Sequence, residues 1–188
     1  MSTDAFGHLR YLVRGRVLSV FGAVRVYDVV GEPMLFAVRR RQEFGYDVCL
    51  YASEDRRVEV LIVRPRQKSH ISDVVDAATG RKVGALKRKE WIPFARDQWT
   101  FFDAEDREIG FLREESVALT SLNRYLPYLV PKRFRGEVDG RPVGTLRQRF
   151  NPFVMKMDLD LTEDFAGLLD RRLGIAAAVL VCAYGPKG

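Results

Sequence analysis

The feature that most constrains this chain is an uninterrupted apolar segment near its C-terminus, residues 173–184. As an α-helix, these residues would extend for about 18 Å, well short of the roughly 30 Å hydrocarbon core of a bilayer. The segment has no polar face, and a helix that is apolar on all sides is buried. The preceding residues must therefore form a structure that encloses it.

An eight-residue pattern recurs five times along the chain and predicts five β-hairpins. The copies are GEPMLFAV, DRRVEVLI, GRKVGALK, DREIGFLR and GRPVGTLR, and they begin at Gly31, Asp55, Gly80, Asp106 and Gly140. The starts are 24, 25, 26 and 34 residues apart, a spacing typical of a repeated supersecondary unit. Each copy begins with a turn residue, because glycine tolerates positive φ and aspartate bonds to nearby backbone amides.

The hairpins predict a sheet that closes on itself. Five hairpins account for about ten strands, and residues 9–20 add further sequence suited to strands. A sheet of this size tends to curl and close, because closure removes its unpaired edges. We therefore predict a mainly β protein, a closed antiparallel β-barrel built from repeated hairpins and enclosing the C-terminal hydrophobic α-helix.

This arrangement resembles the superfamily that joins the tubby C-terminal domain, the phospholipid scramblases and the LURP-one-related proteins. The resemblance rests on residues 27–33, on the repeat copies at 80–87 and 106–113, and on the segment DRRLGIAAAVLVCAYG at 170–185. It covers about residues 9–185. The fold that it implies is a barrel of about twelve strands around a central hydrophobic helix.

The composition is that of one globular domain, residues 1–188. We expect strands over about 9–157, a capping turn over about 161–169 and the central helix over about 170–184, since 188 residues that are 47% hydrophobic suffice for a sizeable core. Asp4, His8 and Arg10 interrupt the apolar residues near the N-terminus, unlike the layout of a signal peptide. We expect a cytoplasmic monomer that reaches the inner membrane face as a peripheral protein.

The sequence contains no recognisable catalytic or metal centre. Cys49 and Cys182 lack a disulfide spacing and are expected to be buried thiols, and His8 and His70 lack the spacing of a zinc site. No phosphate-binding glycine loop or nucleophile elbow is present in the sequence. We therefore expect a protein that is not an enzyme and uses no cofactor.

Positive charge is the main functional signal. The formal net charge is +6 with a pI of about 9.5. The cations form four clusters, which are Arg39–Arg41, Arg64 with Arg66 and Lys68, Lys87–Lys89, and Lys132 and Arg133 with Arg135. The clusters Arg39–Arg41 and Lys87–Lys89 each follow a copy of the repeat, so we expect them to converge at one rim of the barrel. The predicted lipid-binding residues are Arg39, Arg40, Arg41, Lys87, Arg88 and Lys89.

Such a rim would attract anionic phospholipid head groups, and the resemblance to tubby-like domains implies phosphoinositides in particular. Two alternatives stay open. The cations are ordinary solvated strand ends, or they serve a protein or nucleic-acid adaptor, although no nucleic-acid motif is present. Trp91, Pro93, Phe94 and Trp99, near the second cluster, suit either a membrane interface or the core.

The resemblance to scramblases implies a further hypothesis, lipid movement linked to calcium, with Asp158 and Asp160 as the counterparts of the calcium-linked stretch. Two aspartates supply too few of the roughly six to eight oxygens that calcium takes. We favour a capping box instead, with Asp160 as N-cap and Glu163 at N3. Asp170 is expected to cap the final helix, and Gly185 and Pro186 to end it.

Overall fold

The chain forms a closed antiparallel barrel of twelve strands with the C-terminal helix inside it, which confirms the predicted fold class. The computed structural model describes residues 5–16, 22–43, 45–89, 97–115, 131–151 and 154–184. Each strand pairs with its neighbours in sequence, and β1 pairs with β12 to close the ring. The strands are β1 Arg10–Arg16, β2 Val24–Tyr27, β3 Pro33–Gln42, β4 Gly45–Tyr51, β5 Glu59–Pro65, β6 Ile71–Asp76, β7 Lys82–Arg88, β8 Gln98–Phe102, β9 Glu108–Glu114, β10 Arg133–Val138, β11 Arg141–Arg149 and β12 Val154–Asp160, and the helix is α1 Arg171–Tyr184.

The sequence repeats correspond to hairpins that share an irregularity near the turn. Each of the five hairpins has a register shift beside its tight turn, such as the one between Phe101 and Phe102 of β8. The recurring glycine of the pattern has a steric reason, because a Cβ at Gly110 would collide with the carbonyl oxygen of Glu137 on β10. Gly84 meets the carbonyl of Phe102 in the same way.

In the fourth turn, the aspartate that bonds to the backbone is not the predicted one. Asp55 accepts a hydrogen bond from the Arg57 amide at 3.2 Å, as expected for the second turn. In the fourth turn Asp106 instead adopts a positive φ of 65°, and Asp103 accepts from the amides of Glu105 (3.0 Å) and Arg107 (2.9 Å). Asp103 bonds to these amides because it stands at the start of the turn, three residues before Asp106, where an aspartate side chain reaches the amides that follow it.

Helix α1 fills the barrel. Leu173 and every side chain from Ile175 to Leu180 are at most 1% exposed. Small residues allow close packing, and at the far end of α1 the Cys182 Sγ lies 3.9 Å from the carbonyl oxygen of Met155. The inward-facing strand residues that enclose the helix include Val13, Val26, Leu50, Leu61, Leu86, Phe101, Phe134, Leu146 and Met157. A cavity of about 20 Å³ between α1 and β11 has room for about one water molecule, so it is too small for a lipid chain.

The segment between β12 and α1 corrects the predicted capping box. Asp160 accepts from the Thr162 amide at 2.9 Å, but turns follow rather than a helix, and Glu163 faces Arg135 at 3.9 Å. The segment closes on itself because Asp164 accepts from the amides of residues 168 and 169. The predicted N-cap of α1 is confirmed, since Asp170 accepts from the Arg172 amide at 2.9 Å.

Several sequence predictions concern residues outside the described part of the chain. These are Trp91, Pro93 and Phe94 beside the second basic cluster, and the helix end at Gly185 and Pro186. Trp99 is described and belongs to the core, with 3% of its surface exposed.

Candidate functional site: the basic end of the barrel

The direction of the strands sorts the charged residues to opposite ends of the barrel. Because neighbouring strands are antiparallel, odd-numbered strands finish where even-numbered strands begin. All four basic clusters of the sequence lie at the end where odd-numbered strands finish, which we call the basic end. Its cations are Arg39, Arg40 and Arg41 on β3, Arg64 and Lys68 at and after the end of β5, Lys87, Arg88 and Lys89 at the end of β7, Lys132 and Arg133 at the start of β10, and Arg147 and Arg149 on β11. The side chains of Arg66 and Arg135 belong to the same clusters but run along the wall to Asp106 and Glu163.

The opposite end of the barrel, the acidic end, consists of the tight hairpin turns and the segment that leads into α1. Its acidic residues include Asp28, Glu32, Glu54, Asp55, Asp76, Asp103, Glu105, Asp106, Asp139, Glu163, Asp164 and Asp170, and they lie beside cations that include Arg57, Arg81, Arg107, Arg141, Arg171 and Arg172. The helix runs from the acidic end to the basic end, so its negative dipole end lies at the basic end. A barrel with charge separated in this way orients an approaching charged partner.

The two predicted lipid-binding groups lie at the same end but not side by side. Strands β4, β5 and β6 separate β3 from β7, and four steps of about 4.8 Å give roughly 19 Å between them along the wall. The end of β5 and the residues after it lie in this interval, where Arg64 contacts Asp47 and Arg66 contacts Asp73 and Asp106, while Lys68 is exposed. The basic surface is therefore a band along the rim in which paired and exposed cations alternate.

Two of the six predicted residues are engaged in ion pairs. The Arg40 guanidinium lies 2.9 Å from Glu59 Oε1 and 3.7 Å from Asp47 Oδ2 on the outer wall. Arg88 contacts Asp97 at 3.3 Å and lies over the Trp99 ring at 5.7 Å. Recruiting either cation to a ligand would take one partner from a partly buried carboxylate, which is costly, although Asp47 would keep Arg64 and Asp97 would keep Lys132.

Five cations at the basic end are exposed and, within the described part of the chain, make no side-chain hydrogen bond or ion pair. They are Arg41, Lys68, Lys87, Lys89 and Arg147. Three of them belong to the predicted set, and Arg39 beside them is half-buried. The sequence prediction missed Arg147, although alternation along β11 places it outward, between the buried Leu146 and Gln148.

The mouth of the barrel at the basic end holds a compact charged cluster that sequence reasoning did not find. Lys132 Nζ lies 3.4 Å from Glu114 Oε2 and 3.7 Å from Asp97 Oδ2, and Glu114 is only 7% exposed. The Lys132 amide donates to Gln148 Oε1 at 3.2 Å. Alternation on β9 carried a signal, because Glu114 follows the inward-facing Leu112 by two residues. The cluster seals the core beside Val181 of α1.

The residues of the calcium hypothesis are already engaged with arginines. Asp158 Oδ2 accepts from Arg149 at 2.7 Å, and Asp160 Oδ2 accepts from Arg10 at 2.9 Å. Within the described ranges, no three carboxylate, histidine or cysteine side chains are close enough together to hold a metal ion.

Both cysteines are buried. Burial is the main cause that raises the pKa of each thiol to about 12, and at Cys49 a hydrogen bond with Glu59 adds to it. Neither thiol supplies a thiolate at neutral pH.

A comparison with models of protein families gave no match, and a comparison with curated protein sequences gave none either. In the part of the chain that the structure describes, no helix combines the length and the hydropathy needed to cross a bilayer.

Proposed function

We propose that this protein is a non-catalytic binding module whose basic end associates with anionic phospholipid head groups at a membrane surface. The observation that carries the proposal is the gathering of the basic clusters at one end of the barrel, with the acidic turns at the other. Each basic residue near an anionic surface contributes about 1 kcal/mol, and salt weakens that contribution. Five exposed cations that have no side-chain partner among the described residues would give binding that is measurable and reversible.

The proposal also covers the superfamily to which the protein belongs and its location in the cell. A closed barrel of twelve strands around a C-terminal helix supports membership of the superfamily of tubby-like and scramblase-like proteins. The expected surface is the inner face of the membrane, because the cytoplasmic leaflet carries the anionic lipids. The interior supports a surface site rather than an enclosed one, because the 20 Å³ cavity beside α1 does not admit a lipid chain.

Co-sedimentation with vesicles tests this function. The variant Arg41→Gln, Lys87→Gln, Lys89→Gln removes three unpaired cations at the basic end. The matched control Arg57→Gln, Arg81→Gln, Arg141→Gln removes the same charge from exposed positions at the acidic end. Both are compared with wild type on phosphatidylcholine vesicles with and without phosphatidylserine, at low and high salt.

We expect wild type and control to sediment with the anionic vesicles at low salt and the basic-end variant to bind at least tenfold more weakly, since three residues at about 1 kcal/mol each are removed. Equal binding by the two variants, or no binding by wild type, contradicts the proposal. Salt-sensitive binding to a single-stranded oligonucleotide without binding to vesicles would favour the nucleic-acid alternative instead.

A further inference from the structure

Two aromatic side chains are exposed among the cations of the basic end. Tyr46 is 42% exposed near the start of β4, and Phe150 is 57% exposed just after the end of β11. Tyr46 is the cross-strand partner of the unpaired Arg41, and Phe150 follows Arg149. Aromatic residues beside basic ones are typical of surfaces that settle into the head-group region of a bilayer.

Local structure fixes the position of both rings at this end. The side-chain oxygen of Asn151 accepts from the Val154 amide at 2.9 Å, which ties the residue after Phe150 to the first residue of β12. Arg149, the residue before Phe150, is tied to Asp158 on β12 at 2.7 Å. Tyr46 is part of the β3–β4 ladder. Neither residue is therefore a free tail that could reach a membrane in any orientation of the barrel.

The two residues lie on nearly opposite sides of the barrel mouth. In the ring of twelve strands, β11 and β4 are five positions apart through β12, β1, β2 and β3. A barrel lying on its side brings one of these strands to the bilayer and turns the other away. Only a barrel that stands on its basic end brings both residues to the same surface.

We propose that the protein docks end-on, with the barrel axis along the membrane normal and with Tyr46 and Phe150 inserted into the interface of an anionic bilayer. This inference rests on the proposed function and adds to it an orientation and a part of the binding that salt does not weaken. The cations bring the basic end to the surface, and the two rings anchor it by burying apolar area.

Site-specific fluorescence tests the orientation. Single variants Tyr46→Cys, Phe150→Cys and Phe165→Cys are labelled with the polarity-sensitive dye NBD. Labelling is selective, because Cys49 and Cys182 are buried. Phe165, at the acidic end and 95% exposed, is the matched control. Phosphatidylcholine and phosphatidylserine vesicles are added, and co-sedimentation is measured on the same samples.

We expect the emission of the dyes at positions 46 and 150 to increase and shift to the blue, and the dye at 165 to keep its emission in water. Co-sedimentation with a response at one mouth position only, at neither, or at 165 overturns end-on docking while leaving the proposed function standing. Absence of co-sedimentation overturns both.

A second measurement separates anchoring from charge. Phe150→Ala should weaken partitioning onto anionic vesicles about fivefold, by the same factor at low and high salt, since the lost term is apolar burial. Phe165→Ala should leave partitioning unchanged. An unchanged partition coefficient for Phe150→Ala overturns the anchoring role of that ring.

Discussion

The Arg172 Nη1 lies 2.9 Å from Asp76 Oδ2, and this ion pair joins the first turn of α1 to the last residue of β6. The same guanidinium reaches Asp170, the N-cap of the helix, at 2.6 Å. One arginine thus fastens the enclosed helix to the barrel wall at the acidic end.

We expect Arg172→Met to lower the free energy of unfolding by about 1 kcal/mol, because the pair is only partly shielded from solvent. Urea denaturation followed by circular dichroism measures the change. Arg81→Met is the control, since Arg81 is exposed and its side chain has no partner in the described part of the chain. Equal effects of the two substitutions would show that the ion pair adds no stability.

Asp76 also predicts a pH dependence of stability. Hydrogen bonds from the Thr79 amide, then from the Thr79 hydroxyl and Arg172, hold the pKa of this carboxyl below its usual value despite partial desolvation. Stabilisation from a lowered pKa is complete above the unfolded-state pKa of about 3.9 and is lost as the pH falls through the folded-state pKa. Asp76→Asn should therefore destabilise the protein at about pH 7 and much less at about pH 3. Urea midpoints that differ by the same amount at both pH values would contradict this assignment.

The repeat glycine on β9 predicts a steric penalty. A Cβ at position 110 would overlap the carbonyl oxygen of Glu137, a backbone atom that moves only with its strand. We expect Gly110→Ala to lower the free energy of unfolding by more than about 2 kcal/mol. Gly136→Ala is the comparison, because its new Cβ would first meet the Val143 side chain at 3.3 Å. Thermal unfolding that ranks Gly136→Ala as the more damaging change would argue against the close approach at Gly110.

The sequence predicts the hairpins well because the information for a turn is local. Gly31, Gly80 and Gly140 all adopt positive φ, as their place at the start of each repeat indicates. The reason for Gly110 is not local, since the carbonyl that it accommodates belongs to Glu137 on the next strand. A repeated glycine therefore predicts that a side chain is excluded, but not which atom excludes it.

The candidate site, too, can be predicted only in part from the sequence. Counting strands from the repeats places the ends of β3 and β7 at one end of the barrel, so the location of both basic groups at the same end follows from the sequence, although their separation by three strands keeps them apart. The sequence does not indicate which of these cations lack an ion-pair partner. Arg40 and Arg88 look like Arg41 and Lys87 in sequence, but pairing across the sheet gives the first two carboxylate partners. Those partners depend on strand register, which composition does not reveal.

We expect folding to protect both cysteines from thiol reagents. Burial raises the pKa of Cys49 and Cys182 to about 12, so the folded protein should not react with Ellman's reagent at about pH 8. Unfolding in guanidinium should release both thiols. Rapid reaction of the native protein would show that one of these thiols is accessible, and labelling of introduced cysteines would then require Cys49→Ser or Cys182→Ala backgrounds.

The burial of α1 makes the sharpest prediction about the fold. Ala177 is 1% exposed at the middle of the helix, and an aspartate there would place an unpaired charge inside the barrel. Such a charge costs several kcal/mol, comparable to the whole stability of a domain, so Ala177→Asp should not fold. Ala166→Asp makes the same substitution at an exposed position before the helix and should retain the wild-type circular dichroism spectrum and elution volume. A folded, monomeric Ala177→Asp protein would mean that the helix is not held inside the barrel in solution, because only a solvated helix tolerates that carboxylate.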